Sequence, residues 1–118
     1  MRILYIALAG IAGTLARYGL DGWVHGRAGT LTVNLTGSLT LGFILRYATG
    51  SIVVSPDVRA ALTIGFCGAF TTMSTFSYET MALLWDGEYW RAGLYMGVTI
   101  AGCLAAVALG TALANKLL

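Results

Sequence analysis

The sequence predicts an all-α membrane protein with four transmembrane helices, and three observations support that class. Only 10% of its 118 residues are charged and 58% are hydrophobic, whereas about a quarter of a soluble domain is charged. The mean hydropathy is +0.79. The chain also divides into four apolar blocks, each near the roughly 20 residues that a helix needs to cross the hydrocarbon core. The length allows one domain, and the composition excludes a soluble enzyme.

Blocks one and two cover about residues 3–20 and 30–47, joined by a polar loop that contains glycine. Arg2 precedes block one, as a basic residue does in a signal peptide. Arg17 and Tyr18 follow the apolar run, however, where a cleavage site needs small residues. Block one is therefore predicted to remain as a transmembrane helix.

Blocks three and four cover about residues 58–84 and 90–113. Pro56, the only proline, lies in the connection before block three, and residues 86–88 form the turn before block four. Amphipathic rings prefer the level of the lipid headgroups, and four such residues lie at block ends: Trp23, Trp85, Tyr89 and Trp90. Residues 1–118 are thus predicted to form a single four-helix transmembrane domain.

An even number of spans places both termini on one side of the membrane. Four basic residues lie on that side or in the second connection: Arg2, Arg46, Arg59 and Lys116. Three lie on the other side: Arg17, Arg27 and Arg91. Because basic residues orient membrane proteins, this near balance predicts insertion in both orientations and an antiparallel pair. The alternative, which stays open, is that the count is uninformative because several of these residues sit at helix ends.

Block two carries polar residues at helical spacing. One stripe contains Thr30, Asn34 and Ser38, and threonines at 32, 36 and 40 form a second. Hydroxyl groups can bond to their own helix, so a stripe can serve packing alone. Asn34 differs, because a carboxamide in lipid has more hydrogen-bonding groups than its own helix satisfies. It is predicted to line an interface or a pathway.

Hydroxyl groups are densest in block three, where five of the seven residues from 71 to 77 carry one. Gly68 and the β-branched pair Thr71 and Thr72 are poor helix formers near the middle of the longest block, which predicts a helix broken at membrane depth. Broken helices occur in membranes where a site uses the freed backbone groups, carbonyls for a hard cation or amides for an anion. The alternative is a continuous helix with a small-residue packing face.

The remaining residues of note favour packing. Cys67 and Cys103 lie inside apolar blocks and are predicted to behave as small hydrophobic residues, without a disulfide or a metal site. The basic residues are scattered singly, which argues against a nucleic-acid partner. Small residues at helical spacing predict close helix contacts, and they are Gly10 and Gly13 in block one and Gly102, Ala106 and Gly110 in block four.

Three motifs resemble those of the Fluc (CrcB) family of small fluoride channels. They are Gly-Thr-Leu-Ala-Arg-Tyr at 13–18, Thr-Val-Asn-Leu-Thr-Gly-Ser at 32–38 and Gly-Phe-Cys-Gly-Ala-Phe-Thr-Thr-Met-Ser-Thr-Phe at 65–76. They follow the family's order and spacing, and the third is highly specific. The resemblance implies a passive fluoride channel of the plasma (inner) membrane, not an enzyme. It also implies an antiparallel, dual-topology homodimer with two pores, surrounded by lipid.

The resemblance implies roles for individual residues. Backbone carbonyls of Gly68 and Thr71 from both subunits would hold a central structural sodium ion. Apart from the resemblance, the position of Arg17 near the end of block one allows two roles: its side chain snorkels to the interface, or it supplies positive potential to a vestibule. Amide and hydroxyl donors suit fluoride, because they replace its water without the tight binding of a fixed charge. The residues expected to line the pore are Thr30, Asn34, Ser38, Met73, Ser74, Thr75, Phe76, Tyr95 and Thr99.

Met73 departs from the family pattern, since the family usually has the first of two phenylalanines at that place. An aromatic ring edge carries positive partial charge and can face an anion. A thioether is polarizable and only weakly accepting. The departure leaves the fold unaffected and puts the rate of fluoride passage in doubt.

Two other classes of protein have this length and hydropathy. A proton-coupled four-helix multidrug exporter needs a carboxylate inside the membrane, usually in helix one, whereas every acidic residue here lies at or near a block end. A non-transporting scaffold would use polar residues only to join helices, and it explains the hydroxyl-rich run of block three poorly. The sequence therefore favours the fluoride channel.

Overall fold

The computed structural model describes residues 1–118 and contains helices and no strand. Its elements are α1 (Arg2–Asp21), α2 (Gly26–Gly50), α3 (Pro56–Ala60), a π-helical segment (Ala61–Cys67), α4 (Gly68–Phe70), α5 (Met73–Trp85) and α6 (Tyr89–Leu117). The predicted all-helical class is confirmed. Blocks one, two and four lie within α1, α2 and α6, because these helices continue through polar residues beyond the apolar runs that defined the blocks.

Helices α1, α2 and α6 are each long and apolar enough to cross a membrane, by length and composition. The longest dimension of the molecule, 51 Å, exceeds the roughly 30 Å of a hydrocarbon core. The third predicted block corresponds to α3, the π-helical segment, α4 and α5, none of which reaches that length alone. We call residues 56–85 the third block.

Contacts at one end of the molecule bring both termini together with the connection between α2 and α3. The Arg2 Nε atom lies 2.7 Å from Asp57 Oδ1. A Cβ atom at Gly50 would overlap the side chain of Leu118. Both termini therefore lie near the connection between α2 and α3.

Helix α1 packs on the π-helical segment through glycines. A Cβ atom at Gly13 would overlap the Phe66 carbonyl oxygen, and a Cβ at Gly65 would lie 2.6 Å from the Ile6 carbonyl oxygen. The backbones thus approach more closely than any side chain at these two places allows. The predicted packing role of Gly13 is confirmed.

Helices α2 and α6 form the second close pair. A Cβ atom at Gly110 would overlap the Leu39 carbonyl oxygen, and one at Gly42 would overlap the carbonyl oxygen of Val107. Small residues at such contacts let helix backbones meet in a bilayer, where packing drives association. The predicted packing role of Gly110 is confirmed, and Gly42 is its partner in this contact.

The interior of the single chain is small. Only 18 of the 118 residues are buried. Large apolar side chains of α1 and α6 are exposed, for example Ile3, Leu8, Leu15, Leu104 and Leu117. Soluble monomers rarely expose contiguous apolar surface on this scale, so lipid or another protein surface must cover it.

Candidate functional site

Two residues of the third block leave the helix. Thr71 (φ −83°, ψ 157°) and Thr72 (φ −146°, ψ 110°) have extended backbones between α4 and α5. β-branched residues adopt this conformation readily. Gly68, expected to weaken the helix, is helical at φ −62° and ψ −36°, since one glycine costs a helix only about 1 kcal/mol. The irregular backbone here belongs to the threonine pair.

Asn34 on α2 pairs with the backbone of Thr72. The Asn34 amide nitrogen donates to the Thr72 carbonyl at 3.1 Å, and the Thr72 N–H donates to Asn34 Oδ1 at 2.8 Å. Both residues are buried. The side chain therefore satisfies two main-chain groups that the interruption of the helix would otherwise leave unpaired. One amide hydrogen of Asn34 remains for another acceptor.

The Thr72 side chain caps helix α5. Its Oγ1 atom accepts from the Thr75 N–H at 3.3 Å and donates to the Thr75 hydroxyl at 3.0 Å. The Ser74 hydroxyl lies 3.4 Å away. A threonine at the N-cap that bonds to the third residue of a helix is a favoured way to begin one, so α5 starts directly after the extended pair.

These bonds divert the donors that a continuous helix would use. In an α-helix the N–H of residue i bonds to the carbonyl of residue i−4. The Thr72 N–H would reach Gly68 and the Thr75 N–H would reach Thr71, but here they donate to Asn34 and to the Thr72 hydroxyl. The carbonyls of Gly68 and Thr71 thus lose the regular donors of a continuous helix.

Helix α2 lies against the extended pair at Gly37, one turn beyond Asn34. A Cβ atom at Gly37 would overlap Thr71 Cγ2 and would lie 3.3 Å from Phe70 Cδ2. The Thr71 side chain is fixed in that position, because its hydroxyl donates to the Cys67 carbonyl at 2.9 Å. The glycine therefore permits the close approach that lets Asn34 reach Thr72.

A cavity of about 320 Å³ lies beside the extended pair. It is lined from α2, the third block and α6, and none of its lining side chains is charged. Seven of the predicted site residues line it: Asn34, Ser38, Gly68, Thr71, Met73, Phe76 and Thr99. The structure thus brings together residues that lie up to 65 positions apart (34 to 99) in the sequence.

Thr99 is the one residue with a buried side-chain polar atom that lacks a hydrogen-bond partner. The residue is 6% exposed and belongs to the wall of the cavity. The other buried threonines bond to backbone or side-chain atoms, as Thr80 does with the Phe76 carbonyl at 2.8 Å. An unpaired buried hydroxyl costs about 1–3 kcal/mol, so Thr99 is a donor and acceptor still available to a ligand.

A second cluster adjoins the cavity at Phe76. The Phe76 and Tyr95 ring centroids are 5.2 Å apart at an interplanar angle of 54°. The Tyr95 hydroxyl donates to Glu79 Oε1 at 3.2 Å. Phe76 and Tyr95 belong to one buried cluster with Leu83 and Ala92. This contact links α5 to α6 and packs the Phe76 ring, which lines the cavity, against Tyr95.

Comparison with known proteins decides the family. A family model described as "CrcB-like protein, Camphor Resistance (CrcB)" matches residues 4–111. The chain belongs to the CrcB family. Proteins named fluoride-specific ion channel FluC are similar to it over nearly their whole length. Those from Geotalea uraniireducens and Geobacter sulfurreducens are 46% identical across 98% of both chains, and one from Geobacter metallireducens is 44% identical across 99% of both.

Membership of the CrcB family settles two broad properties. The family is one of ion channels, so the prediction that the chain is not an enzyme is confirmed. Together with three helices apolar enough to cross a bilayer, membership makes the chain a multi-pass membrane protein. The predicted resemblance to this family is likewise confirmed.

Five residues predicted for the CrcB site do not line the cavity. Ser74 and Thr75 lie in the first turn of α5, beside the cap. Thr30 is buried on α2, and its hydroxyl lies 3.4 Å from the Gly26 carbonyl. Tyr95 is in the Phe76 cluster. Arg17 is half-buried on α1 and forms no ion pair.

Six residues of the cavity wall were not predicted as site residues: Gly37, Leu41, Thr63, Cys67, Ile100 and Cys103. A spacing of four residues would have found half of them. Thr63 and Cys67 precede Thr71 by two turns and one turn, and Cys103 follows Thr99 by one turn. Extending each polar stripe by a turn therefore recovers these three, whereas Leu41 and Ile100 carry no polar signal.

Proposed function

We propose that this chain forms a fluoride-specific ion channel through which fluoride leaves the cell passively across the plasma (inner) membrane. The observation that carries the proposal is the match of almost the whole chain to relatives named fluoride-specific ion channels. The uncharged cavity beside Thr71 and Thr72 supports it. Passive flow of fluoride needs no cluster of catalytic groups.

The cavity wall suits a small, strongly hydrated anion. Fluoride entering a pore must exchange its water for other hydrogen-bond donors, and it must bind weakly enough to leave. Asn34 offers the amide hydrogen that Thr72 does not use, and Ser38 and Thr99 offer hydroxyls. Because all three groups are neutral, they can replace water without holding the ion as a lysine or arginine would.

The pathway continues beyond the cavity in this proposal. The Phe76 ring edge carries positive partial charge, and Phe76 lines the cavity together with Met73, which has no donor. Arg17 on α1 adds positive potential at a vestibule. The other residues assigned to the pathway are Thr30, Ser74, Thr75 and Tyr95.

A structural sodium ion is part of the same proposal. The carbonyls of Gly68 and Thr71 have lost their helical donors, and carbonyl oxygens are ligands that hard cations prefer. One chain supplies two such oxygens, fewer than a hard cation takes, so the same two carbonyls of a second copy would complete the set. When bound, the ion would offset the carbonyl dipoles and join the two chains.

The second copy is placed antiparallel in this proposal, as a dual-topology homodimer. The apolar exterior, with only 18 buried residues, requires a cover that lipid and a second chain together provide. Contacts of Arg2 with Asp57 and of Gly50 with Leu118 join the termini to the connection between α2 and α3, and the proposal assigns four basic residues to that end and three to the other. Because the basic residues are divided so evenly, the positive-inside rule predicts little preference between the two orientations.

Fluoride efflux from liposomes tests the activity. Purified protein is reconstituted into vesicles loaded with potassium fluoride, and an electrode records external fluoride after a potassium ionophore is added. We expect rapid efflux of fluoride and none of chloride, with slower fluoride efflux when sodium is replaced by a large organic cation throughout. Fluoride efflux no faster than from protein-free vesicles would refute the channel, and a rate independent of sodium would refute the structural ion.

Labelling from one side of the membrane tests the orientation. A cysteine is placed at either terminus of a variant that lacks Cys67 and Cys103, and intact cells receive a membrane-impermeant maleimide. We expect about half of the chains to react before the membrane is opened and the rest after, since a dual-topology dimer has equal populations. Labelling of all chains or none before opening would remove the antiparallel arrangement.

A further inference from the structure

A groove runs along the seam between α2 and α6. It consists of two pockets, of about 250 and 310 Å³. The lining of the first pocket includes Leu31 on α2 and Val98 on α6, and that of the second includes Leu35 and Gly102, one turn further along each helix. The pockets therefore follow each other, and we call them together the α2–α6 groove.

The α2–α6 groove lies on a different face of α6 from the cavity beside the extended pair. On α6 the cavity is lined by Thr99 and Cys103, whereas the groove is lined by Leu94, Val98 and Ala105. With about 3.6 residues per turn, these two sets point in widely different directions from the helix axis. No residue lines both the groove and the cavity.

The groove is long enough for an acyl chain. Arg91 and Leu109 line its two ends on α6, and at about 1.5 Å per residue they are about 27 Å apart along the helix axis. One leaflet of a bilayer has a hydrocarbon depth of about 15 Å. Apart from two arginines, a tyrosine and a threonine, the lining of the groove is apolar.

Positive charge is concentrated at one end of the groove. Arg27 and Arg91, in the first turns of α2 and α6, are the only charged side chains in the lining. Arg27 forms no ion pair, and Arg91 Nη1 lies 3.4 Å from Glu88 Oε1 at the exposed surface. The nearby Glu79 carboxylate accepts a hydrogen bond from the Tyr95 hydroxyl. The two arginines therefore have positive charge available for an anion.

This end of the groove lies at the level expected for lipid headgroups. Tyr89 and Trp90 directly precede Arg91, and Trp23 lies shortly before Arg27. All three aromatic residues are exposed. Such rings prefer the interface between membrane and water, which is also where the phosphates of phospholipids lie.

We propose that the α2–α6 groove binds one anionic phospholipid, with its phosphate at Arg27 and Arg91 and an acyl chain along the apolar lining. Guanidinium groups match the geometry of phosphate and bond to it in pairs. A zwitterionic lipid carries its own cation beside the phosphate, so it gains less from the arginines than an anionic lipid does. A free phosphate ion would use the arginines but not the apolar lining.

A second copy of the chain is the other surface that could cover the groove. In the proposed function the two copies meet at the carbonyls of Gly68 and Thr71, which line the cavity and not the groove. The choice of lipid over a second copy rests on that part of the proposed function, whereas lipid binding itself is measured without fluoride. Failure of fluoride efflux would therefore leave the lipid site standing.

Native mass spectrometry of the detergent-purified protein tests the site, with phosphatidylglycerol or phosphatidylcholine of equal chain length added. We expect one phosphatidylglycerol per chain, held more tightly than phosphatidylcholine. A basic residue near an anionic lipid contributes a factor of about five to binding. Arg27→Gln and Arg91→Gln should therefore each bind phosphatidylglycerol about fivefold more weakly. Arg59→Gln, which changes an exposed arginine on α3 outside the groove, is the matched control and should bind as the unaltered protein does.

The place of the acyl chain is tested by filling the second pocket. Ala105→Phe should weaken the binding of long-chain phosphatidylglycerol, but not that of a short-chain form whose chains end in the first pocket. Ala101→Phe, exposed on the same helix outside the groove, should alter neither. Equal affinity for the two headgroups, or unchanged affinity in Arg27→Gln, would overturn the site. Unchanged binding of the long-chain lipid in Ala105→Phe would overturn the path of the acyl chain.

Cross-linking in vesicles tests the other occupant. Leu94→Cys is made in a variant that lacks Cys67 and Cys103, and the reconstituted protein is treated with a thiol oxidant. We expect the chains to remain unlinked, because lipid covers this exposed position in the groove. A disulfide between two copies would assign the groove to a second chain and overturn the lipid site.

Discussion

The α2–α6 pair and the third block differ in how their backbone hydrogen bonds are made. Helices α2 and α6 run unbroken for 25 and 29 residues and meet through Gly42 and Gly110. Their backbone bonds stay within each helix. The third block changes from α-helix to π-helix and back, and then extends at Thr71 and Thr72.

The difference shows where the molecule has polar groups left for a ligand. On α2, the hydroxyls of Thr32, Thr36 and Thr40 each bond to the carbonyl four residues earlier at 2.7 Å, so that stripe has no free donor. At the extended pair, the Thr72 N–H donates to Asn34 and the Thr75 N–H donates to the Thr72 hydroxyl. The carbonyls of Gly68 and Thr71 therefore lack their helical donors, and both residues line the cavity. The regular helices stabilise the fold, and the site lies beside the irregular third block.

The largest expected effect comes from removing the side chain that replaces the helix bonds. Asn34→Leu leaves the Thr72 N–H and carbonyl unpaired, and each unpaired buried group costs about 1–3 kcal/mol. We expect a stability loss of about 2–6 kcal/mol, seen as a lower thermal unfolding temperature in detergent. Asn115→Leu, at the exposed end of α6, is the matched control and should change little. Equal unfolding temperatures for the two variants would mean that Asn34 does not hold Thr72.

The contact between α2 and α6 is tested by placing a methyl group in it. Gly110→Ala places a methyl group against the Leu39 carbonyl and 2.9 Å from the Phe43 nitrogen, and backbone atoms cannot rotate away. Overpacking of this kind costs about 1–3 kcal/mol, so the unfolding temperature should fall. In Gly97→Ala the same helix gains a methyl group with nothing within 4 Å. That variant should be as stable as the original or more so, and a fall as large as that of Gly110→Ala would contradict the packing account.

The cap of α5 is expected to matter less. Thr72→Ala removes the acceptor for the Thr75 N–H, and loss of an N-cap costs about 1 kcal/mol. Thr72→Ser keeps the acceptor and should recover most of the stability in the same thermal assay. Thr36→Ala removes a hydroxyl that bonds only within its own helix and should be nearly neutral. If Thr72→Ser is no more stable than Thr72→Ala, the hydroxyl is not the capping group.

The smallest change in stability is expected at Met73, which is 71% exposed in the single chain. Met73→Phe alters volume little, and such exchanges cost less than about 1.5 kcal/mol. Fluoride efflux should nevertheless rise, because a ring edge carries positive partial charge that a thioether lacks. Met81→Phe, one turn or more beyond the cavity on the same helix, should leave efflux unchanged. Equal efflux in Met73→Phe would make Met73 a tolerated wall residue, and a decrease would contradict the assignment of this position to the pathway.

Much of the fold follows from hydrophobic patterning. The four apolar blocks gave the helical class and the order of the helices, and the glycines at 13 and 110 marked two close contacts. The ends of the helices could not be placed by hydropathy, since Gly26 and Gly50 extend α2 with residues that are not apolar. The π-helical segment at Ala61–Cys67 was not predicted either, since its residues are apolar like those of the regular helices.

The site was only partly accessible from the sequence. Its residue types and its position near Thr71 and Thr72 could be read from the hydroxyl-rich run. The pairing of Asn34 with Thr72 could not, because it joins residues 38 positions apart and requires the close approach at Gly37. The shared cavity of Cys67 and Cys103 was missed for a similar reason, as each cysteine alone resembles an ordinary apolar residue.

The central claim is that fluoride passes beside the extended pair, Thr71 and Thr72. Fluoride efflux from vesicles that contain Asn34→Asp tests this claim most directly. The change keeps the size of the side chain and an acceptor for the Thr72 N–H, but it removes the donor and adds a negative charge to the cavity. An added barrier of about 3 kcal/mol would slow passage roughly 100-fold, and we expect at least that loss while the protein still purifies as the same assembly. Asn115→Asp, the same chemical change beside Arg46 at the exposed end of α6, should conduct normally. Unaltered efflux in Asn34→Asp would contradict the account and place the fluoride path elsewhere in the molecule.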